Sequence, residues 1–212
     1  MAGEGEALAD LTAAIAACRI CRDTPRGAPL PHEPRPVAWP SPTARILVAG
    51  QAPGIRVHAS GKPFTDPSGD RLRAWMGLDD EVFYDRSRVA IVPMGFCFPG
   101  HDAKGGDLPP RPECRIAWHD RLMAAMPAVD LVLAIGATAQ AYHLRRLGLG
   151  ALMRPTLGET VLDWRTIFDA CAAPRVLVLP HPSWRNSGWL NRNPWFAADL
   201  LPVLRQEIRR RC

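Results

Sequence analysis

Four uninterrupted apolar runs, RILVAG (45–50), SRVAIVPM (87–94), VDLVLAIG (129–136) and RVLVLP (175–180), constrain this chain more than any other feature. Each is short, rich in Val, Ile and Leu, and stopped by Gly or Pro, which marks a buried strand rather than a helix. Helical segments separate them. Leu8, Leu11 and Ile15 predict a first helix over Glu4–Ala17, and Ser68 stands where it could cap a helix through DRLRAWMGL. Further helices are expected over RPECRIAWHDRLMAAM, over ATAQAYHLRRL, and from about Pro194 onward, where Phe196, Leu200, Leu204 and Ile208 form one stripe. Strands alternating with helices give an α/β fold, a three-layer sandwich whose short, mostly parallel four-stranded sheet is flanked by helices.

At 212 residues the chain reads as a single domain, 1–212, with room for a real core. Its 47% apolar and 22% charged residues are ordinary for a globular protein. The net charge of +5 suits a polyanionic partner. The 22 prolines gather in loops such as PRGAPLPHEPRPVAWPSP and DLPPRPE rather than in a repeat. No apolar run approaches the roughly 18 residues of a membrane span. MAGEGEALADLTAAIAAC reads as an amphipathic helix, acidic at its start, rather than a secretory signal, so a cytoplasmic location is expected. Disulfides are rare in that compartment, which leaves six cysteines to be explained otherwise.

In parallel α/β folds ligands bind where loops leave the carboxyl ends of the strands. Three loops leave such ends here: GQAPG, GFCFPG and HPSWRN. GQAPG follows its strand as a phosphate loop would, yet it lacks the P-loop lysine and the G-x-G-x-x-G spacing, which argues against a nucleotide hydrolase. Cys18 and Cys21 form C-x-x-C, while Cys97 and Cys114 flank the second long loop with sixteen residues between them. Four thiolates in that arrangement could hold zinc or an iron–sulfur cluster; the pair alone could be a redox dithiol. Cys171 and Cys212 read as idle.

Taken together these motifs resemble the uracil-DNA glycosylase superfamily, and most closely its iron–sulfur branch, family 4. GQAPG (50–54) is similar to that family's GEAPG, GKPF (61–64) to its G-x-P-F, and HPSWRN (181–186) to its second motif. The cysteine order C-x-x-C…C…C is similar as well, and the resemblance spans about residues 15–200. It implies hydrolysis of the N-glycosidic bond of uracil or a related deaminated base flipped out of DNA, by a monofunctional, monomeric enzyme. By the same resemblance, Gln51 and His181 are expected catalytic residues, joined by His58 because it follows GQAPG in the same loop, and Gly50, Ala52, Pro53, Gly54, Phe64 and Met94 are the expected base-binding ones. Ser183, Trp184, Arg185, Asn186 and Arg192 would contact DNA, and Trp184, Trp189 and Leu190 could either wedge into the gap left by the flipped base or pack their loop onto the domain. Cys18, Cys21, Cys97 and Cys114 would hold a 4Fe–4S cluster, with zinc the alternative.

The chemistry accounts for these residue types. An aromatic face stacks on an extruded base, glycines let backbone approach it, and a histidine donates to the leaving anion. The chain departs from the pattern at Gln51, where family 4 carries glutamate, and at Ala52, where family 1 carries aspartate. His58, Asp66 and Asp70 are the polar candidates nearby for orienting water, His58 first among them. Val92, Pro93 and Met94 offer no side-chain amide where the family reads uracil with asparagine. A catalytically weak protein that binds lesion or abasic DNA is therefore the alternative.

Overall fold

The computed structural model describes residues 7–212. Helix α1 (Leu8–Ala16) and the short α2 (Ile20–Asp23) precede a proline-rich segment and strand β1 (Ile46–Ala49). Helices α3 (Ile55–Ser60), α4 (Pro67–Met76) and α5 (Asp80–Phe83) lead to β2 (Val89–Ile91). After a long loop, α6 (Pro112–Cys114) passes through a π-helical stretch into α7 (Asp120–Ala125). Strand β3 (Leu131–Ile135) is followed by α8 (Ala137–Arg146), α9 (Leu157–Leu162) and α10 (Trp164–Asp169). Strand β4 (Arg175–Leu179) leads to α11 (Ser187–Arg192), a second π-helical stretch and α12 (Leu201–Arg209).

All four strands are parallel, in the order β2-β1-β3-β4. Almost every strand residue is fully buried, so the sheet must be covered on both faces, which the crossover helices do. Ile46 pairs with both Val89 and Leu131, and Leu131 in turn with Arg175, which aligns the strand ends along one rim. The chain moves outward from β1 to β2, then returns past β1 to place β3 on its other side. The carboxyl ends of β1 and β3 therefore flank the point where the winding direction reverses, the usual place for a ligand crevice. The free edge of β2 is closed by Trp39, whose N–H donates to Ile91 O at 2.7 Å and whose carbonyl accepts from Ile91 N–H at 2.9 Å.

The expected helices form, with shifted ends. The first was predicted from Glu4, and its start lies outside the described residues. Asp66, not Ser68, caps α4: its carboxylate accepts from Gly69 N–H while Pro67 takes the first turn, where no donor is needed. The π-helical stretch Phe196–Leu200 ends two residues before Pro202, whose ring and missing N–H disturb a regular α-helical ladder. Among the helices not expected, α9 and α10 pack on β4, with Trp164, Ile167 and Phe168 buried.

Candidate active site

The first motif is laced to the segment after β2. Gly50 O accepts from Met94 N–H at 2.9 Å, and Gln51 O accepts from Gly95 N–H at 2.7 Å. The Gln51 side chain crosses toward β3, where a Cβ on Gly136 would stand 3.0 Å from its Cδ. Gly136 has φ +83°, so both its conformation and its lack of a side chain make room for Gln51. Thr138 Oγ1 donates to Gln51 Oε1 at 3.1 Å. The residues that follow GQAPG form the short helix α3.

Phe64 is the only described non-glycine residue with positive φ, at +55°. Its carbonyl accepts from Arg73 Nη1 at 3.0 Å and from Tyr84 Oη at 3.0 Å, which fixes this strained backbone. Arg73 is itself buried and paired with Asp70 at 2.5 Å and Asp80 at 2.7 Å. Gly69 lies so close that a Cβ there would sit 1.8 Å from Phe64 O. So held, the ring comes over the strand end, its Cζ 3.4 Å from the Cβ position of Gly50.

The loop after β4 completes the rim. Asn186 Nδ2 donates to His181 O at 2.7 Å, and Arg71 donates to Ser183 O at 2.9 Å and to Ser187 Oγ at 3.2 Å. Arg71 thus ties this loop to α4, a use of its charge that its sequence position did not suggest. Trp189 packs edge-on against Trp195 and Phe196, whereas Trp184 is 74% exposed. Structure therefore separates two indoles that sequence left together: Trp189 anchors the loop, and Trp184 stands at the mouth. Arg185 and Arg192 are exposed on the same loop.

These segments enclose a cavity of about 390 Å³, within the range of small-ligand sites. Gly50, Gln51, Ala52, Pro53 and Gly54 line it together with Phe64, His181 and Trp184. Burial pushes the His181 imidazole below its ordinary value, and the charges of Asp66 and Asp107 offset this only in part. A neutral ring results, able to donate one N–H.

Two expected residues stand elsewhere. Met94 is buried in the core and absent from the lining; in an extended segment neighbouring side chains alternate, and Pro93 reaches the cavity instead. His58 projects from α3 away from the cavity and lies against His32, ring centroids 4.4 Å apart, near Phe98. Among the water-orienting candidates, Asp70 is engaged by Arg73 while Asp66 lines the cavity. Asp107, from the loop after β2, lines it too. Sequence reasoning missed Asp107 because nothing local links it to GQAPG.

The cysteine segments converge on one another. Cys21 and Cys114 share a hydrogen bond that holds Cys21 down to about 7. Cys97 is pushed up to about 12, by burial first and by the charges of Cys21 and Cys18. Glu113 and Arg111 tie these segments together: Glu113 Oε1 accepts from Arg26 N–H at 2.9 Å and from Arg111 Nη2 at 2.7 Å. The donor set, four free thiols without a disulfide, has the chemistry of an iron–sulfur site. Among the described residues no group of three or more His, Cys, Asp or Glu is arranged to hold a metal ion, so that fit rests on donor chemistry. Cys171 instead donates to Pro174 O at 2.9 Å, and Cys212 is exposed.

No helix among the described residues is long and apolar enough to cross a membrane. The family model for the uracil DNA glycosylase superfamily matches residues 38–205, a stretch that includes all four strands and every residue lining the cavity except Val37. The parallel sheet, the glycine-rich loop after β1 and the histidine loop after β4 thus meet at one rim in a chain that belongs to the uracil-DNA glycosylase superfamily.

Proposed function

We propose that this protein is a monofunctional DNA glycosylase that hydrolyses the N-glycosidic bond of uracil, or of a related deaminated base, flipped out of DNA. One observation carries the reading: GQAPG and Phe64, which follow β1, and His181, which follows β4 far along the chain, line a single cavity. The extruded base would stack on Phe64, and the backbone of Gly50–Gly54 would lie along its edge and sugar. As the C1′–N bond breaks, the base leaves as an anion, and the neutral His181 ring would donate a hydrogen bond to it. Trp184 would fill the gap left in the strand, with Ser183, Arg185, Asn186 and Arg192 along the phosphates. No lysine lines the cavity among the described residues, which supports simple hydrolysis over lyase chemistry.

Cys18, Cys21, Cys97 and Cys114 would hold an iron–sulfur cluster, zinc being the alternative. Such a cluster would brace α2 and the second long loop and leave bond cleavage to the cavity. The enzyme is read as a monomer acting in the cytoplasm. Two tests are direct. Protein purified without oxygen should be brown with iron and sulfide bound; a colourless zinc protein refutes the cluster. Oligonucleotides containing uracil, hypoxanthine or xanthine, single- and double-stranded, should break on alkali treatment after incubation with the protein. Tight lesion binding with no breaks would mark a binding protein instead.

A further inference from the structure

Hydrolysis at C1′ needs a group that takes a proton from water, and neither Gln51 nor Ala52 can supply one. The amide of Gln51 is not a base at neutral pH, and its oxygen already accepts from Thr138. Two carboxylates line the cavity, Asp66 and Asp107. Asp66 is occupied at the start of α4, where it accepts from Gly69 N–H at 3.3 Å.

Asp107 is placed differently. Its Oδ2 lies 3.5 Å from the Cβ position of Gly54, the last residue of GQAPG. Its Oδ1 meets His101 Nδ1 at 3.2 Å across a short antiparallel bridge. The turn between them is held by its own bonds. Asp102 N–H donates to Gly106 O at 2.8 Å, Leu108 N–H donates to Gly100 O at 2.9 Å, and Asp102 Oδ1 accepts from Lys104 and Gly106 N–H. Gly105, at φ +76°, allows the tight reversal. The His101 ring rests edge-on against the buried Phe98, centroids 4.9 Å apart. One carboxylate oxygen is thus anchored by a histidine while the other faces the first-motif loop, the arrangement of a base oriented by a third group.

We propose that Asp107 is the general base of the glycosylase reaction and that His101 is its positioning residue. This rests on the functional reading above. The Asp107 carboxylate takes one proton from water as the water oxygen bonds to C1′. The C1′–N bond breaks and its electron pair leaves with the base, whose anion His181 receives. The proton on Asp107 then passes to the released base or to solvent. The same negative charge faces the cation-like sugar in the transition state.

Single-turnover base release from the best oligonucleotide of the panel tests this, with Asp107→Asn, His101→Gln and Asp66→Asn compared in the full chain. Binding to an oligonucleotide carrying a stable abasic analogue is measured alongside, as proof of fold. Asp107→Asn is expected to lose about 10²–10⁴-fold in rate with abasic binding kept. His101→Gln should lower kcat about tenfold with KM unchanged, and Asp66→Asn should lose clearly less than Asp107→Asn. An active wild type with an equally active Asp107→Asn, or with the loss confined to Asp66→Asn, overturns the proposal alone. A wild type that releases no base from any oligonucleotide overturns the glycosylase reading, and the proposal with it.

Discussion

Phe64 concentrates the logic of the site in one residue. A bulky side chain at φ +55° costs about 1–3 kcal/mol, and the carbonyl bonds from Arg73 and Tyr84 hold it there. Its aromatic character was legible in GKPF; its backbone was not, because the groups that fix it come from α4 and the residue after α5. Phe64→Ala is expected to weaken binding of a uracil-containing oligonucleotide by about 1–3 kcal/mol and to leave abasic-DNA binding unchanged, as read by fluorescence anisotropy. Equal losses on both oligonucleotides would contradict a stacking role. His58 and Asp107 show the limits of reading residues by their neighbours in sequence. His58 follows GQAPG directly, yet α3 carries it to the far side of the loop; Asp107 is remote in sequence and lines the cavity.

At the scale of elements, α4 does more than cover the sheet. Its first turn presses on Phe64 at Gly69, its Arg71 clamps the loop after β4, and its Arg73 holds the Phe64 carbonyl. Gly69→Ala places a methyl group where no relaxation of a flexible side chain can relieve it, since the clashing atom is backbone. A loss of about 1–3 kcal/mol is expected from such overpacking, measured as a lower urea midpoint, together with slower base release as Phe64 is displaced. Unchanged stability would show that α4 shifts freely. The helix itself was visible in sequence, and so was the glycine. That the glycine serves Phe64 was not, because a close approach between two backbones leaves no mark in either local pattern.

For the whole molecule, buried histidines couple folding to pH. His143 is fully buried in α8 beside Tyr142, and burial, with the charges of His119 and Arg146, holds it down to about 3. Unfolded, it titrates near about 6.5. Between those values the unfolded chain binds a proton that the folded chain refuses, so stability falls as pH falls. Each pH unit below about 6.5 costs roughly a tenfold drop in the folding constant for one such group. Burial shifts His119 and His181 in the same direction. Urea midpoints should be level above neutral pH and decline below it, more gently in His143→Gln. An identical decline in that variant would remove His143 from the account.

The sequence by itself determined the sheet, its parallel sense and the rim on which function sits. Continuous apolar strands can be buried only between helices, and glycine-rich loops at their carboxyl ends then have one place to meet. It also determined three of the cavity's principal groups, Gln51, Phe64 and His181, because their chemistry is written in short local motifs. Only the tertiary structure decided which polar neighbours join them. It turned His58 and Met94 away, spent Asp70 and Arg71 on holding the fold, divided Trp184 from Trp189, and brought Asp107 beside Gly54. The physical reason is common to all of these. A side chain's direction follows from the helix or strand that carries it and from the partners that satisfy its charge, and those partners come from segments far apart along the chain.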